Sequence, residues 1–397
     1  MIIFSQPSQK AGGVQTLIIN IAKFIVENKI DSVALLDYDN GFIKKHFDQM
    51  GLEYNYYNLN DLKHFRRSIT GKDVYVIFGG WRSGLKNITG TKAKILIWQV
   101  FPTTIMDLFS IRPYFSNEKH NKRLSRYLII TFINKLINNN ALCFMSSSHY
   151  YSLLKYDIKT KSIPLLPIPF KTPKKSFVKP LSSTINISYI GRGEEKWKVI
   201  PVKRLLSDLY NVDRKISVHI ITTNINKFKD FLQPFKLSDY RHKIHFYSDL
   251  HDEKLTSFLI DNIDLNFGMG TSVLESGALG IPTAFLDASY DELPKDYNYR
   301  WLFETDGYDL GKPLWLFEKQ TGYNICELID QIVDNEKKEK ISQKCFHYVN
   351  ENHSIDIVTN KFFELSKNTT LTVSKIIVFK IIINIVIAIK KMIKIIK

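Results

Sequence analysis

The chain has 397 residues, 44% hydrophobic, 13% aromatic and 24% charged, with a formal net charge of +16. That is material for two folded domains and a tail, and it excludes a disordered chain. Cys143, Cys326 and Cys345 stand far apart in apolar or helical surroundings, which excludes a disulfide framework or a cysteine zinc site and fits a reducing cytoplasm.

In chain order, apolar runs alternate with helical periodicity: strand 1–5, helix 13–28, strand 32–37, helix 42–50, strands 74–78 and 94–98, helix 121–138, strand 141–145. This predicts a doubly wound α/β sheet. The opening Met1-Ile-Ile-Phe4 is too short for the apolar core of a signal peptide and has no basic flank, so no cleavable signal is expected. Ser146–Tyr150 starts a further helix, and residues 163–180 carry five prolines among basic and hydroxyl residues, the composition of a linker. Strands resume at 185–190 and 216–222, an amphipathic helix covers 252–261, and charged helices are expected over 324–335 and 337–366. The resulting plan is a domain over 1–162, a linker over 163–183, a second domain over 184–370 and a tail over 371–397, with no internal repeat.

Gly268–Pro282 reads Gly-Met-Gly-Thr-Ser-Val-Leu-Glu-Ser-Gly-Ala-Leu-Gly-Ile-Pro. Apolar Ile263–Phe267 and Ile281–Leu286 flank it as buried parallel strands, and Ser272–Leu279 has helical spacing with Glu275 near its start. Glycines admit close backbone approach, helix N-terminal amides attract phosphate, and a carboxylate one turn in accepts two sugar hydroxyls. The alternative is a plain tight turn at Gly268 and Gly270, with Glu275 capping or ion-pairing its own helix.

Two more segments bear on that choice. Ile187-Ser-Tyr-Ile-Gly-Arg-Gly-Glu-Glu-Lys-Trp-Lys198 ends a strand in Gly-Arg with lysines following, and Gln9-Lys-Ala-Gly-Gly-Val14 passes from the first strand into a helix. Together with His245–Asp287, these resemble GT-B glycosyltransferases, in particular the large retaining family-four type. The resemblance implies two Rossmann-like domains facing a cleft, a nucleotide sugar held by the carboxyl-side domain, and Arg192 and Lys196 on the donor diphosphate, with Lys198 second to Lys196. It places Gly270, Thr271 and Ser272 on the diphosphate, Glu275 on the ribose, and Gly12 and Gly13 near the donor phosphates or the transferred sugar. Fixed cations stabilise the charge on a leaving nucleoside diphosphate without a metal, so neither metal nor other cofactor is expected.

The chain also departs from that pattern. The acidic residue eight positions before the second glutamate is Phe267, so retention of configuration is not implied. Where relatives place a histidine, Ile97-Trp-Gln-Val-Phe-Pro102 offers Gln99, which hydrogen-bonds a sugar but is no general base.

Charge is divided unevenly: residues 1–180 hold 26 Lys/Arg against 11 Asp/Glu, residues 181–370 hold 23 against 28, and 371–397 add six lysines and no acid. Lys119–Arg126 is basic and runs into an apolar turn, which favours an anionic lipid surface over nucleic acid. In 375–397 the six lysines and Asn384 share one half of a helical wheel opposite isoleucine, valine and phenylalanine. Its least-charged run, 376–389, reaches about 21 Å against a hydrocarbon core of about 30 Å, so lying in the interface is expected rather than spanning. Core completion or a dimer contact is the competing reading of those isoleucines.

These features predict an enzyme, a glycosyltransferase on the cytoplasmic face of a bacterial membrane. It would move sugar from a nucleotide sugar to a lipid-linked glycan acceptor in surface polysaccharide (lipopolysaccharide, capsule or exopolysaccharide) synthesis. The alternatives are a non-catalytic membrane-associated nucleotide- or nucleic-acid-binding protein and an NAD(P)-dependent oxidoreductase, the latter disfavoured because Gly-x-Gly-x-x-Gly is absent. Asp37-Tyr-Asp39 matches the manganese-binding Asp-x-Asp of GT-A glycosyltransferases, but as a strand end it reads as structural. His149 after three serines lacks a nucleophile elbow, and the sequons at Asn87 and Asn368 carry no meaning without secretion.

Overall fold

The computed structural model describes residues 1–10, 12–78, 81–101, 119–154, 157–177, 179–232, 240–316 and 321–376. It divides into two units, Met1–Pro169 with Ile355–Lys397, and Phe170–Ser354.

The first unit contains β1 (Ile2–Phe4), α1 (Gly13–Glu27), β2 (Val33–Asp37), α2 (Phe42–Gln49), β3 (Asn55–Asn58), α3 (Leu62–Ser68), β4 (Val74–Phe78), α4 (Trp81–Ile88), β5 (Lys94–Gln99), α5 (Lys119–Asn138), β6 (Leu142–Phe144) and α6 (Ser148–Leu154). All its strand pairs are parallel, in the order β3-β2-β1-β4-β5-β6. Central strands such as Val-Ala-Leu-Leu-Asp and Val-Tyr-Val-Ile-Phe are buried along their whole length, as a sheet covered by helices on both faces requires. Phe4, Val76 and Trp98 pack with α1 and α2 on one face, and Ile95, Ile97 and Phe144 with α5 on the other.

The second unit contains β7 (Ile185–Ile190), α7 (Lys196–Tyr210), β8 (Ile216–Ile221), α8 (Ile225–Leu232), β9 (Lys243–Tyr247), α9 (Asp252–Asn262), β10 (Leu265–Gly268), α10 (Thr271–Ala278), β11 (Thr283–Phe285), α11 (Ile325–Val333) and α12 (Asn335–His353). Its order is β11-β10-β7-β8-β9, again parallel throughout. One face of this sheet is polar and buried. Asp264 accepts from Asn186 N–H at 2.9 Å and from Lys338 Nζ at 2.9 Å, and His219 lies between Asn186 Oδ1 (3.1 Å) and the Tyr247 hydroxyl (3.2 Å). Burial, with the nearby His245 and Lys179, pushes His219 down to about 4.

The helix expected over 337–366 is two helices. At Ser354 the backbone is extended (φ −57°, ψ 142°) and bridges Phe170, whose N–H donates to His353 O at 2.6 Å. The following helix, α13 (Ile355–Asn368), belongs to the first unit, with Phe362 stacked between Phe4 (6.0 Å) and Trp98 (5.8 Å). The second unit therefore ends at Ser354 rather than at residue 370. The start of the expected amphipathic tail also lies elsewhere: Leu371, Val373 and Ile376 are buried in the core of the first unit, and Leu371 O accepts from Ile95 N–H at 2.8 Å. For residues 371–376 core completion is the correct reading, and 377–397 lie outside the described residues. Among the described residues no helix is long and apolar enough to cross a membrane.

Candidate functional site

β7 and β10 are neighbours where the strand order of the second sheet reverses, with Ile190 paired to Gly268. In doubly wound sheets the connections diverge at such a point and leave a crevice beyond the carboxyl ends of the strands. Gly191-Arg-Gly193 leaves β7 there and Met269-Gly270 leaves β10, on strands one sheet spacing apart (about 4.8 Å). The sequence therefore brings Arg192, Lys196, Gly270, Thr271, Ser272 and Glu275 to one end of one sheet.

Each loop is shaped by its glycine. At Gly193 a Cβ would meet Asn224 O at 2.7 Å, Thr222 Oγ1 at 2.8 Å and Phe228 Cβ at 2.9 Å, so the chain presses onto the β8–α8 connection and Arg192 projects from it. Gly270 has φ 69° and ψ −137°, a conformation side chains resist, and it opens α10 with free space above it. Among the described residues no side chain caps α10, so its first-turn amides are offered to whatever enters the crevice. Thr271 is exposed, while the Ser272 hydroxyl turns back to donate to Met269 O at 3.1 Å.

Glu275 sits one turn into α10, mostly covered. Among the described residues it has neither a hydrogen bond nor an ion pair, so the reading of Glu275 as a partner within its own helix finds no support. Burial, reinforced by the Asp252 carboxylate at the head of α9, pushes its pKa up to about 7. Such a group suits neutral hydrogen-bond donors, and a vicinal diol offers two.

The cations differ from one another. Arg192 is more than half exposed and pairs with Glu195 at 3.2 Å, whereas Lys198 is largely covered, 2.7 Å from Glu195 and 4.8 Å above the Trp197 ring. Burial lowers the Lys198 pKa and Glu195 opposes it. Lys196, the first residue of α7, is exposed with no carboxylate paired to it among the described residues. Phe267, eight positions before Glu275, is buried in β10 against Tyr299, so no acid reaches the crevice from that position.

Sequence reasoning missed the support beneath the glycine loop. Gly270 N–H donates to Leu310 O at 2.6 Å, and Gly311 packs against Met269. Two residues on, Lys312 N–H donates to Asp287 Oδ1 at 2.7 Å, and that oxygen also receives Arg300 Nη2 at 2.7 Å in a nearly dry ion pair. The only signal in the sequence was a glycine at 311 amid polar residues.

Gly12 and Gly13 belong to the first unit, at the start of α1. Gly12 is extended (φ −161°), Gly13 has open space beside it, and among the described residues no side chain caps the helix. Gln99 is buried and its amide donates to Phe101 O at 2.9 Å. Asp37 accepts from Tyr38 N–H, with burial raising its pKa to about 6, and Asp39 accepts from Tyr56 and Asn58 of β3. His149 lies on Phe144 and donates Nδ1–H to Ser146 O. Among the described residues no three His, Cys, Asp or Glu side chains gather in a way that could hold a metal ion.

Two parallel doubly wound sheets, the second followed by helices that return to the first, make this the GT-B fold of glycosyltransferases. A glycosyltransferase from Rickettsia africae ESF-5 superposes with a TM-score of 0.60 at 15% identity, covering 92% of this chain and 97% of the other. The lipopolysaccharide outer core galactosyltransferase WaaB gives 0.56 at 12% identity over 92% and 98% of the two chains. Anabaena HepE, in complex with UDP-glucose, gives 0.52 at 12% identity over 91% and 98%. No protein-family model and no curated protein sequence matches the chain.

Proposed function

We propose that the chain is a glycosyltransferase that takes its donor, a nucleotide sugar, in the crevice of the second unit. The observation that carries this is Glu275, a covered carboxyl without a partner among the described residues, one turn behind a helix N-terminus that is opened by a glycine at positive φ. In this reading Glu275 accepts both ribose hydroxyls, the first-turn amides of α10 at Thr271 and Ser272 receive the diphosphate, which the bare Cα of Gly270 lets approach closely, and Arg192 and Lys196 neutralise it from the neighbouring strand. As the glycosidic bond breaks, charge gathers on the departing diphosphate, where cations already in place stabilise the transition state more than the ground state. No metal is required for these steps.

The acceptor follows from charge. The basic first unit and the lysine-rich 377–397 suit an anionic membrane surface, and a lipid-linked glycan in bacterial surface polysaccharide synthesis fits that setting, with the enzyme peripheral on the inner face. HepE binds UDP-glucose and WaaB is a lipopolysaccharide galactosyltransferase, which supports the donor class and the kind of pathway. The test is a thermal-shift panel of uridine, guanosine, cytidine and thymidine diphosphates, followed by donor hydrolysis with the corresponding nucleotide sugars. Stabilisation by one base and none in Glu275→Gln is expected; a flat panel overturns the reading.

A further inference from the structure

Two large aromatic side chains stand out in water beside the proposed donor crevice. Tyr290 is 56% exposed and Trp315 is 39% exposed, and their rings meet at 5.1 Å and 40°. Exposing such area costs free energy, and a pair held rigidly in that state marks a recognition surface.

The pair is rigid because its backbone is. Ala288 N–H donates to Lys312 O and Leu314 N–H donates to Ala288 O, both at 2.9 Å, so the segments carrying the two rings run as a short parallel bridge. Beneath it lies the dry Asp287–Arg300 pair, and Ser289 Oγ closes a turn with Asp291. Ser289 N–H also donates to Trp197 O at 3.2 Å, which fastens the platform to the first turn of α7, where Lys196 precedes Trp197. One hydrogen-bonded residue pair and one peptide step on either side keep the Tyr290 and Lys196 Cα atoms within about 13 Å, a gap their side chains and one sugar ring fill.

Position decides what the platform takes. Glu275 feels Asp252 at the head of α9, which follows the edge strand β9, whereas Tyr290 follows β11, the opposite edge of the sheet. A nucleotide sugar with its ribose at Glu275 and its diphosphate between α10 and Lys196 sends its base toward the β9 side and its sugar toward the β11 side. A pyranose shows a face of axial C–H bonds, weakly positive and apolar, that stacks on the negative face of an aromatic ring. Resting on the function proposed above, we propose that Tyr290 and Trp315 form a stacking platform for the pyranose ring of the donor and help select the transferred sugar.

The experiment compares nucleoside diphosphate with nucleotide sugar by calorimetry, using UDP against UDP-glucose and GDP against GDP-mannose. Tyr290→Ala and Trp315→Ala should weaken the nucleotide sugar about tenfold each while leaving the nucleoside diphosphate within about twofold, and Tyr290→Phe should bind like wild type. Because the rings are exposed, the melting temperature of each variant should stay close to wild type, which separates lost stacking from lost folding. Equal weakening of both ligands would mean the residues act through Trp197 on the diphosphate and overturns the platform. Unchanged donor affinity with a raised acceptor KM overturns it too, moving the site to the acceptor. A wild-type protein that binds no nucleotide at all removes the function on which the platform rests.

Discussion

Glu275→Gln tests the proposed donor site through two opposite effects. A carboxyl raised from 4.5 to about 7 by burial costs about 3 kcal/mol to ionise in the empty protein, at 1.36 kcal/mol per pH unit. Below pH 4.5 folded and unfolded states both hold the proton and the cost is absent; it grows as pH rises and is complete above about 7. Glutamine keeps the shape and never ionises. The unliganded variant should therefore be more stable than wild type at pH 8 by roughly 2–3 kcal/mol, about 4–12 °C in melting temperature, with the gain shrinking below about 1 kcal/mol at pH 5. Donor binding should move the other way, losing about 1.5–3 kcal/mol, or roughly ten- to more than a hundredfold, because the amide replaces one accepting oxygen with a donor. Wild-type affinity for a nucleotide sugar, whose diphosphate does not titrate near neutrality, should rise with pH up to about 7 as Glu275 ionises. Thermal scans from pH 5 to 8 beside calorimetric titrations give both readings. A variant less stable at pH 8 that binds donor normally would falsify the argument and leave Glu275 a structural residue.

Arg192→Ala should lower kcat/KM for transfer or donor hydrolysis roughly ten- to more than a hundredfold, and Lys196→Ala somewhat less; rates unchanged in both would place the diphosphate elsewhere. Removing 371–397 should cost several kcal/mol, because Leu371, Val373 and Ile376 leave the core, whereas a chain stopped at Ile376 should keep its melting temperature and lose hold on acidic vesicles. If the shorter cut still sediments with vesicles, the lysine-rich end is no anchor. His219, held near 4 against an ordinary 6.5, takes up a proton on unfolding, so its contribution is present above pH 6.5 and fades, by up to about 3 kcal/mol, as pH falls toward 4. Urea midpoints at pH 7 and 4.5 should converge in His219→Asn; an unchanged gap would assign the acid loss to other groups.

The parts legible in sequence were those where local pattern and tertiary role agree. β2 and β4 are nearly continuous apolar runs, and Gly268–Pro282 announced strand, loop, helix and strand because each residue type suits its own site. β3 (Asn-Tyr-Tyr-Asn) and β9 (Lys-Ile-His-Phe-Tyr) passed unnoticed, being edge strands with half-exposed side chains and no apolar run. Asn186, Ser188, His219, Asp264 and Asn266 look like surface residues yet line the inside of a sheet, hydrogen-bonded to one another across strands no local window connects. The break at Ser354 was hidden because helical periodicity persists across it while the helix changes partner. The resemblance ranked Lys198 below Lys196, and only Trp197 and Glu195 reveal that Lys198 is the covered one.

The second unit is an insertion. Its chain enters at Phe170 and leaves at Ser354, the two ends tied by one backbone hydrogen bond, while the first unit is interrupted and is completed by 355–376. Synthesis from the amino terminus usually lets the first domain fold first. Here the ribosome makes most of the first unit early but withholds Phe362, Leu371 and Ile376 until later, so the second unit, although it begins later, is whole sooner. The amino-terminal sheet must wait with an open face, and a chain cut between 354 and 376 would carry a complete second unit beside an incomplete first one.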